Sequence, residues 1–171
     1  ADAVIDAHIA AAAPETYFDA LAAAGADVLT VQAEAFAVAA EDNSSSVHLD
    51  TARLARAART VRTDLGRQFG IALAPATPVS AIEALLEADL LDLVDVLAVE
   101  PGEGGQRFQP SALAKLEALR ADHPRLRYRQ VDGGMNAETA PLAVRAGANV
   151  LAAGSFVFPA TTAEKNNVGG P

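Results

Sequence analysis

Cysteine is absent from the 171 residues. That excludes disulfides, zinc–thiolate sites and thiol catalysis. No apolar run approaches the roughly 18 residues that cross a bilayer. Positive charge is scarce: 13 Lys and Arg stand against 22 Asp and Glu, a formal net charge of −9. So acidic a chain is not suited to nucleic acid or an anionic membrane as main partner. It can still bind a small phosphate, because a local cluster of N–H donors can oppose the global charge. An initiator Met and a signal-peptide layout are missing too. Ala1-Asp2-Ala3-Val4-Ile5 opens directly into an apolar run, and a processed or truncated chain is expected.

What is present is an ordinary globular composition, with 51% hydrophobic and 20% charged residues, enough for one sizeable core. One domain is expected over residues 1–160. A loose, polar, Gly-rich tail is expected over 161–171. Short apolar runs alternate with helix-period segments. Strands are expected at Val4–Ile9, Asp27–Ala35, Phe69–Leu73, Leu93–Val99, Arg127–Val131 and Asn149–Ala153. Helices are expected at Pro14–Gly25, about Leu49–Gly66, Pro78–Ala88, about Pro110–Asp122 and Glu138–Ala146. Pro14 suits a first turn, and Gly25 and Gly147 suit helix ends. Arg53, Arg56, Arg59 and Arg62 recur at a spacing of three and read as a solvated helix face. His48 and His123 read as surface residues.

Six β-then-α units imply a parallel sheet with right-handed crossovers. Two architectures fit, a doubly wound open sheet and a barrel. A complete (β/α)8 barrel needs about 250 residues, at least about 200, so this chain is about two units short of one. In either case ligands bind at the C-terminal ends of the strands. Three glycine-rich turns lie there: Gly102-Glu103-Gly104-Gly105, Gly133-Gly134 and Gly154-Ser155. Successive N–H groups in such turns can converge on a phosphate; any one pair could equally be a plain tight turn. His8 stands near the end of the first strand and Asp132 at the end of the fifth. Asp6 and His8 share one strand face, as do Gln130 and Asp132. Singly, His8 could be a structural histidine and Asp132 a turn residue. A His and an Asp from different strands facing one barrel mouth would suit a divalent metal.

Several segments resemble ribulose-phosphate 3-epimerases, in order along nearly the whole chain to about Pro159. Asp6-Ala7-His8-Ile9 with Pro14-Glu15-Thr16-Tyr17 resembles that family's third strand, and Ala24-Gly25-Ala26-Asp27 the turn into its fourth. Gly70-Ile71-Ala72-Leu73-Ala74-Pro75-Ala76-Thr77-Pro78 is similar to its fifth. Val99-Glu100-Pro101-Gly102-Glu103-Gly104-Gly105-Gln106-Arg107-Phe108 is similar to the signature loop after its sixth. Val131-Asp132-Gly133-Gly134 and Ala152-Ala153-Gly154-Ser155-Phe156-Val157-Phe158 resemble the ends of strands seven and eight.

The resemblance implies an α/β fold, an incomplete (β/α)8 barrel of about six units corresponding to strands 3–8. It implies interconversion of D-ribulose 5-phosphate and D-xylulose 5-phosphate by two aspartates on opposite faces of the sugar. A divalent metal (Zn, Fe, Mn or Co) would stabilise the ene-diolate. Asp132 would be one catalytic aspartate and a metal ligand, and His8 a metal ligand. Gly104, Gly105, Gly133, Gly134, Gly154 and Ser155 would hold the phosphate. It further implies an oligomer or a subunit of a larger complex, in cytoplasm or plastid, with no nucleic acid partner and no membrane span.

The chain departs from the family pattern at several points. It has no segment like H-x-D-x-M-D-G, which carries the family's second His and second catalytic Asp. Ala10 or Ala11 stands where Met is usual, Gln32 where His is common, Ala74 where Asn is common, and Glu103 where an aromatic is usual. With one of the two aspartates, the chain alone is not expected to invert the sugar. The alternative is a degenerate homologue serving as a structural or interaction subunit. A ketohexose 6-phosphate substrate, or kinship with indole- or thiamine-phosphate synthases, are further alternatives.

Overall fold

Strands that run Val-Leu-Thr-Val-Gln or Leu-Val-Asp-Val-Leu are buried at every position, as strands covered on both faces are. The computed structural model, which describes residues 3–39, 47–102 and 106–158, places them at the centre of a parallel sheet. The strands are β1 (Asp6–Ile9), β2 (Val28–Gln32), β3 (Ala37–Val38), β4 (His48–Leu49), β5 (Gln68–Leu73), β6 (Leu93–Leu97), β7 (Tyr128–Asp132) and β8 (Val150–Ala152). The main sheet has six strands in the order β1-β2-β5-β6-β7-β8, all parallel. The helices are α1 (Phe18–Ala23), α2 (Thr51–Arg59), α3 (Glu83–Glu87), α4 (Ser111–Asp122), α5 (Thr139–Ala146) and α6 (Gly154–Val157). Sequential strands are sheet neighbours, so each connection is a β-α-β crossover.

The register sorts side chains by chemistry. Leu29 pairs with Phe69, Val31 with Ile71, Ile71 with Val94 and Val96 with Val131. These outward-facing residues pack under the helices with Phe18, Leu54, Ile82, Leu85, Leu116 and Leu119, all essentially inaccessible to solvent. The opposite face carries Asp6, His8, Thr30, Gln32, Asp95, Gln130 and Asp132 at alternate positions. The hydrophobic core therefore lies between sheet and helices, and the inner face of the sheet is polar.

That inner face is curled. In a flat sheet β1 and β7, four strand spacings apart, would be separated by roughly 19 Å. Instead the Gln130 side-chain amide on β7 donates to the Asp6 carboxylate on β1 at 3.4 Å. The architecture is thus an incomplete (β/α)8 barrel, as the resemblance implied. Its edge strands carry exposed apolar residues: Val4 and Ile5 beside β1, and Leu151, Phe156 and Val157 at β8 and α6. No helix among the described residues is long and apolar enough to cross a membrane.

Local departures from the sequence reading have local causes. The Pro14–Gly25 helix begins as a 3-10 turn over Pro14–Tyr17, and the Pro78–Ala88 helix as one over Val79–Ile82. The strand expected to Ala35 stops at Gln32, because Ala33–Phe36 folds into another 3-10 turn. A two-stranded antiparallel pair, β3 with β4, was not foreseen. The long Arg-rich helix starts at Thr51, where the Asp50 side chain accepts from the Arg53 N–H at 2.8 Å, and passes into a π turn at Thr60–Asp64.

The arginine stripe is only partly solvated. Arg56 and Arg59 are exposed. Arg53 grips both Glu15 carboxylate oxygens at 2.6 and 2.8 Å and lies 4.4 Å over the Phe36 ring. That pairing holds the Glu15 carboxyl below its usual range. Arg62 pairs with Asp92 at 3.2 Å. His123 is likewise not a free surface group, since it faces Glu83 at 3.3 Å. The tail expected from 161 lies outside the described residues.

Candidate active site

The C-terminal ends of β1, β6, β7 and β8 surround one open basin of about 1050 Å³. His8, Asp132, Gly133, Gly134, Gly154 and Ser155 all line it. Gly104 and Gly105, expected in the same role as the last four, lie outside the described residues.

Asp132 ends β7, and two left-handed glycines follow it. Gly133 has φ +108° and Gly134 φ +65°. A Cβ on Gly134 would sit 2.6 Å from the Phe108 backbone nitrogen, so the turn after β7 and the segment after β6 meet backbone to backbone. The turn is braced from below. Thr139 Oγ1 donates to the Gly134 carbonyl at 2.8 Å, and Asn136 Oδ1 accepts from the Glu138 and Thr139 N–H groups at 2.8 and 3.0 Å. The glycine N–H groups therefore stand at the basin in a fixed frame.

His8 is exposed at the basin wall, with Nε2 3.0 Å from Gln32 Oε1. Gln32 in turn donates to Glu34 at 2.5 Å. Glu34 also accepts from the Ala74 N–H at 3.1 Å and from the Thr77 hydroxyl. Lys115 ties down the same loop by donating to the carbonyls of Ala74, Pro75 and Thr77 at 2.7, 2.9 and 2.6 Å. Burial lowers the Lys115 pKa, opposed by the charges of Glu34 and Glu100. Gln32 and Ala74, two departures from the family pattern, thus belong to one network that orients His8.

Asp95 was passed over in the sequence because it sits inside an apolar strand. Its one signal was a lone charge amid Leu93-Val94-Asp95-Val96-Leu97, which a period-two reading turns inward. It is fully buried, and neither carboxylate oxygen has a hydrogen-bond partner among the described residues. Burial and then the nearby Asp132 charge push its pKa up to about 7. The Gln130 amide opposes this, but its one hydrogen bond with full geometry goes to Asp6. Thr30 Oγ1 takes the other Asp6 oxygen at 2.7 Å.

His8, Asp95 and Asp132 each offer a ligand atom within 4.8 Å of the others. One imidazole and two carboxylates are a donor set for zinc or another first-row divalent ion. The orphaned oxygens of Asp95 are the observation that fits such an ion to this place.

An incomplete parallel barrel with ionisable groups and glycine turns at its strand C-ends belongs to the (β/α)8 barrel class, whose sites lie at that end. The narrower identity follows from comparison. The chain belongs to the ribulose-phosphate 3-epimerase family, whose model matches residues 1–158. It is 39% identical over 164 residues to a ribulose-phosphate 3-epimerase of Schizosaccharomyces pombe, covering 96% of this chain and 64% of that protein. It is 40% identical over 163 residues to one of Bacillus subtilis, covering 92% and 66%. It is 37% identical over 164 residues to the chloroplastic ribulose-5-phosphate-3-epimerase of Arabidopsis thaliana, covering 93% and 52%. The chain thus spans less than two thirds of the length of each of these relatives.

Proposed function

We propose that this chain carries the phosphate-holding side and one of the two proton-moving groups of a ribulose-phosphate 3-epimerase. The substrate is D-ribulose 5-phosphate, interconverted with D-xylulose 5-phosphate. The carrying observation is that Asp132 and His8 line one basin with the glycine turns, with a ligand atom of Asp95 within 4.8 Å of theirs. Asp132 works on one face of the sugar, taking a proton from the carbon next to the carbonyl in one direction of the reaction and delivering one there in the other, as general base or general acid. N–H groups of Gly133, Gly134, Gly154 and Ser155, with Gly104 and Gly105, hold the phosphate. His8 and Asp132 hold a divalent cation (Zn, Fe, Mn or Co), which when bound supplies Lewis-acid stabilisation of developing negative charge. Inversion needs a second acid/base on the far face, and the chain contains no H-x-D-x-M-D-G segment to supply one. The compartment on this reading is cytoplasm or plastid.

A second reading, a degenerate homologue that serves as an interaction subunit, draws on the exposed apolar residues at both sheet edges. Exchange of the C3 hydrogen of D-ribulose 5-phosphate with solvent, with added zinc or manganese, separates the two, because one base is enough for it. Exchange abolished by Asp132→Asn supports the epimerase. Absence of both exchange and ribulose 5-phosphate binding favours the subunit, as would a stable larger assembly in light scattering.

A further inference from the structure

We infer that Asp95 is a third protein ligand, with His8 and Asp132, to a divalent cation in this basin. The inference deepens the epimerase reading and rests on it only for the presence of a cation.

The argument starts from an unsatisfied group. A carboxylate removed from water is costly unless charges or donors compensate it. Asp95 is wholly buried, and both its oxygens lack a hydrogen-bond partner among the described residues. Its neighbours make matters worse, because Asp132 and Asp6 both oppose its ionisation. Gln130, the register partner across the ladder, spends its hydrogen bond on Asp6. Protonation alone leaves a buried O–H with no acceptor. A cation satisfies the carboxylate and offsets the crowding of negative charge in one step.

Geometry agrees. Tetrahedral ligands at about 2.0–2.2 Å from a zinc-like ion stand about 3.3–3.6 Å apart. The three donors lie within 4.8 Å of one another, so side-chain movements of up to about 1 Å close the set. His8 is prepared for it as well. With Nε2–H donating to Gln32 Oε1 at 3.0 Å, Nδ1 keeps its lone pair, and such a partner on the other ring nitrogen is the usual way a ligating imidazole is oriented. The place of Asp95 explains what the strand gains from an otherwise destabilising residue: a third, buried ligand beside the two at the basin wall, where Gln32 beside His8 offers only an amide.

The test is Co²⁺ binding by the full 171-residue chain, followed by calorimetry and visible absorption without substrate. The set is wild type, His8→Ala, Asp132→Asn, Asp95→Asn and Asp6→Asn. Asp6→Asn removes a negative charge from the same face without touching the trio. Loss of an outer-sphere partner weakens metal binding 10–100-fold, so loss of a direct ligand is expected to weaken it by at least about 100-fold. We expect that loss, with an altered absorption spectrum, for Asp95→Asn, and a change of less than about 10-fold for Asp6→Asn. Circular dichroism checks that each variant is folded. If Asp95→Asn binds Co²⁺ like wild type while His8→Ala and Asp132→Asn do not, this inference is overturned and the epimerase reading stands. Equal losses in Asp95→Asn and Asp6→Asn also overturn it, since charge alone would then explain the effect. If wild type binds no Co²⁺, the metal part of the epimerase reading fails as well.

Discussion

Replacing Asp95 by Asn should stabilise the metal-free chain at neutral and alkaline pH. The gap between its ordinary value of 3.8 and about 7 in the folded chain is about three units. At 1.36 kcal/mol per unit, ionised Asp95 costs the fold up to about 4 kcal/mol. The sign follows from proton counting. Between pH 4 and 7 the folded chain holds a proton that the unfolded chain has released, so stability falls as pH rises through that window and levels off above it. Asn removes the penalty but buries an amide of its own. We therefore expect a net gain of about 2–3 kcal/mol at pH 8 and little difference near pH 4. Asp132, Asp6 and His8 face the same space, so the quantity to read is wild type minus variant. Urea unfolding in EDTA at a series of pH values measures it. A variant no more stable than wild type at pH 8 would show that ionised Asp95 does not destabilise the fold. Added zinc should then favour wild type over the variant, because a ligand stabilises the fold that binds it.

Two further predictions concern the frame around the site. Lys115→Met strips three carbonyls of a charged donor, and thermal unfolding should show a loss of about 3 kcal/mol, with binding at His8 weakened through Glu34 and Gln32. Gly134→Ala places a methyl group against the Phe108 backbone at a positive φ; it should cost about 2 kcal/mol by urea unfolding and abolish phosphate binding followed by ³¹P NMR.

The alternation of strands and helices was legible because most strands are short runs rich in apolar residues, and the segments between are longer and mixed. The inward placement of His8 and Asp132 was legible too, since period two puts Asp6 with His8 and Gln130 with Asp132. Asp95 was not, because one charge in Leu93–Leu97 is outweighed by four apolar neighbours. The curl was not either: nothing in β1 or β7 alone says that Asp6 and Gln130 meet. The arginine stripe misled because equal spacing says nothing of partners 38 residues away, and Glu15 is such a partner for Arg53. Strand and helix ends shifted where 3-10 turns replaced regular structure, as after Gln32, where Glu34 bends back to hold Gln32 and the Ala74 loop.

On the proposed function, Asp132 moves a proton at the carbon beside the carbonyl of a ribulose phosphate. One base is enough to exchange that hydrogen with solvent, even where inversion needs two. The chain should be incubated with D-ribulose 5-phosphate and Mn²⁺ or Zn²⁺ in D2O, with C3 hydrogen followed by NMR or mass spectrometry. Deuterium is expected at C3 with wild type and none above background with Asp132→Asn. Bound substrate without exchange, or exchange that survives Asp132→Asn, would contradict it.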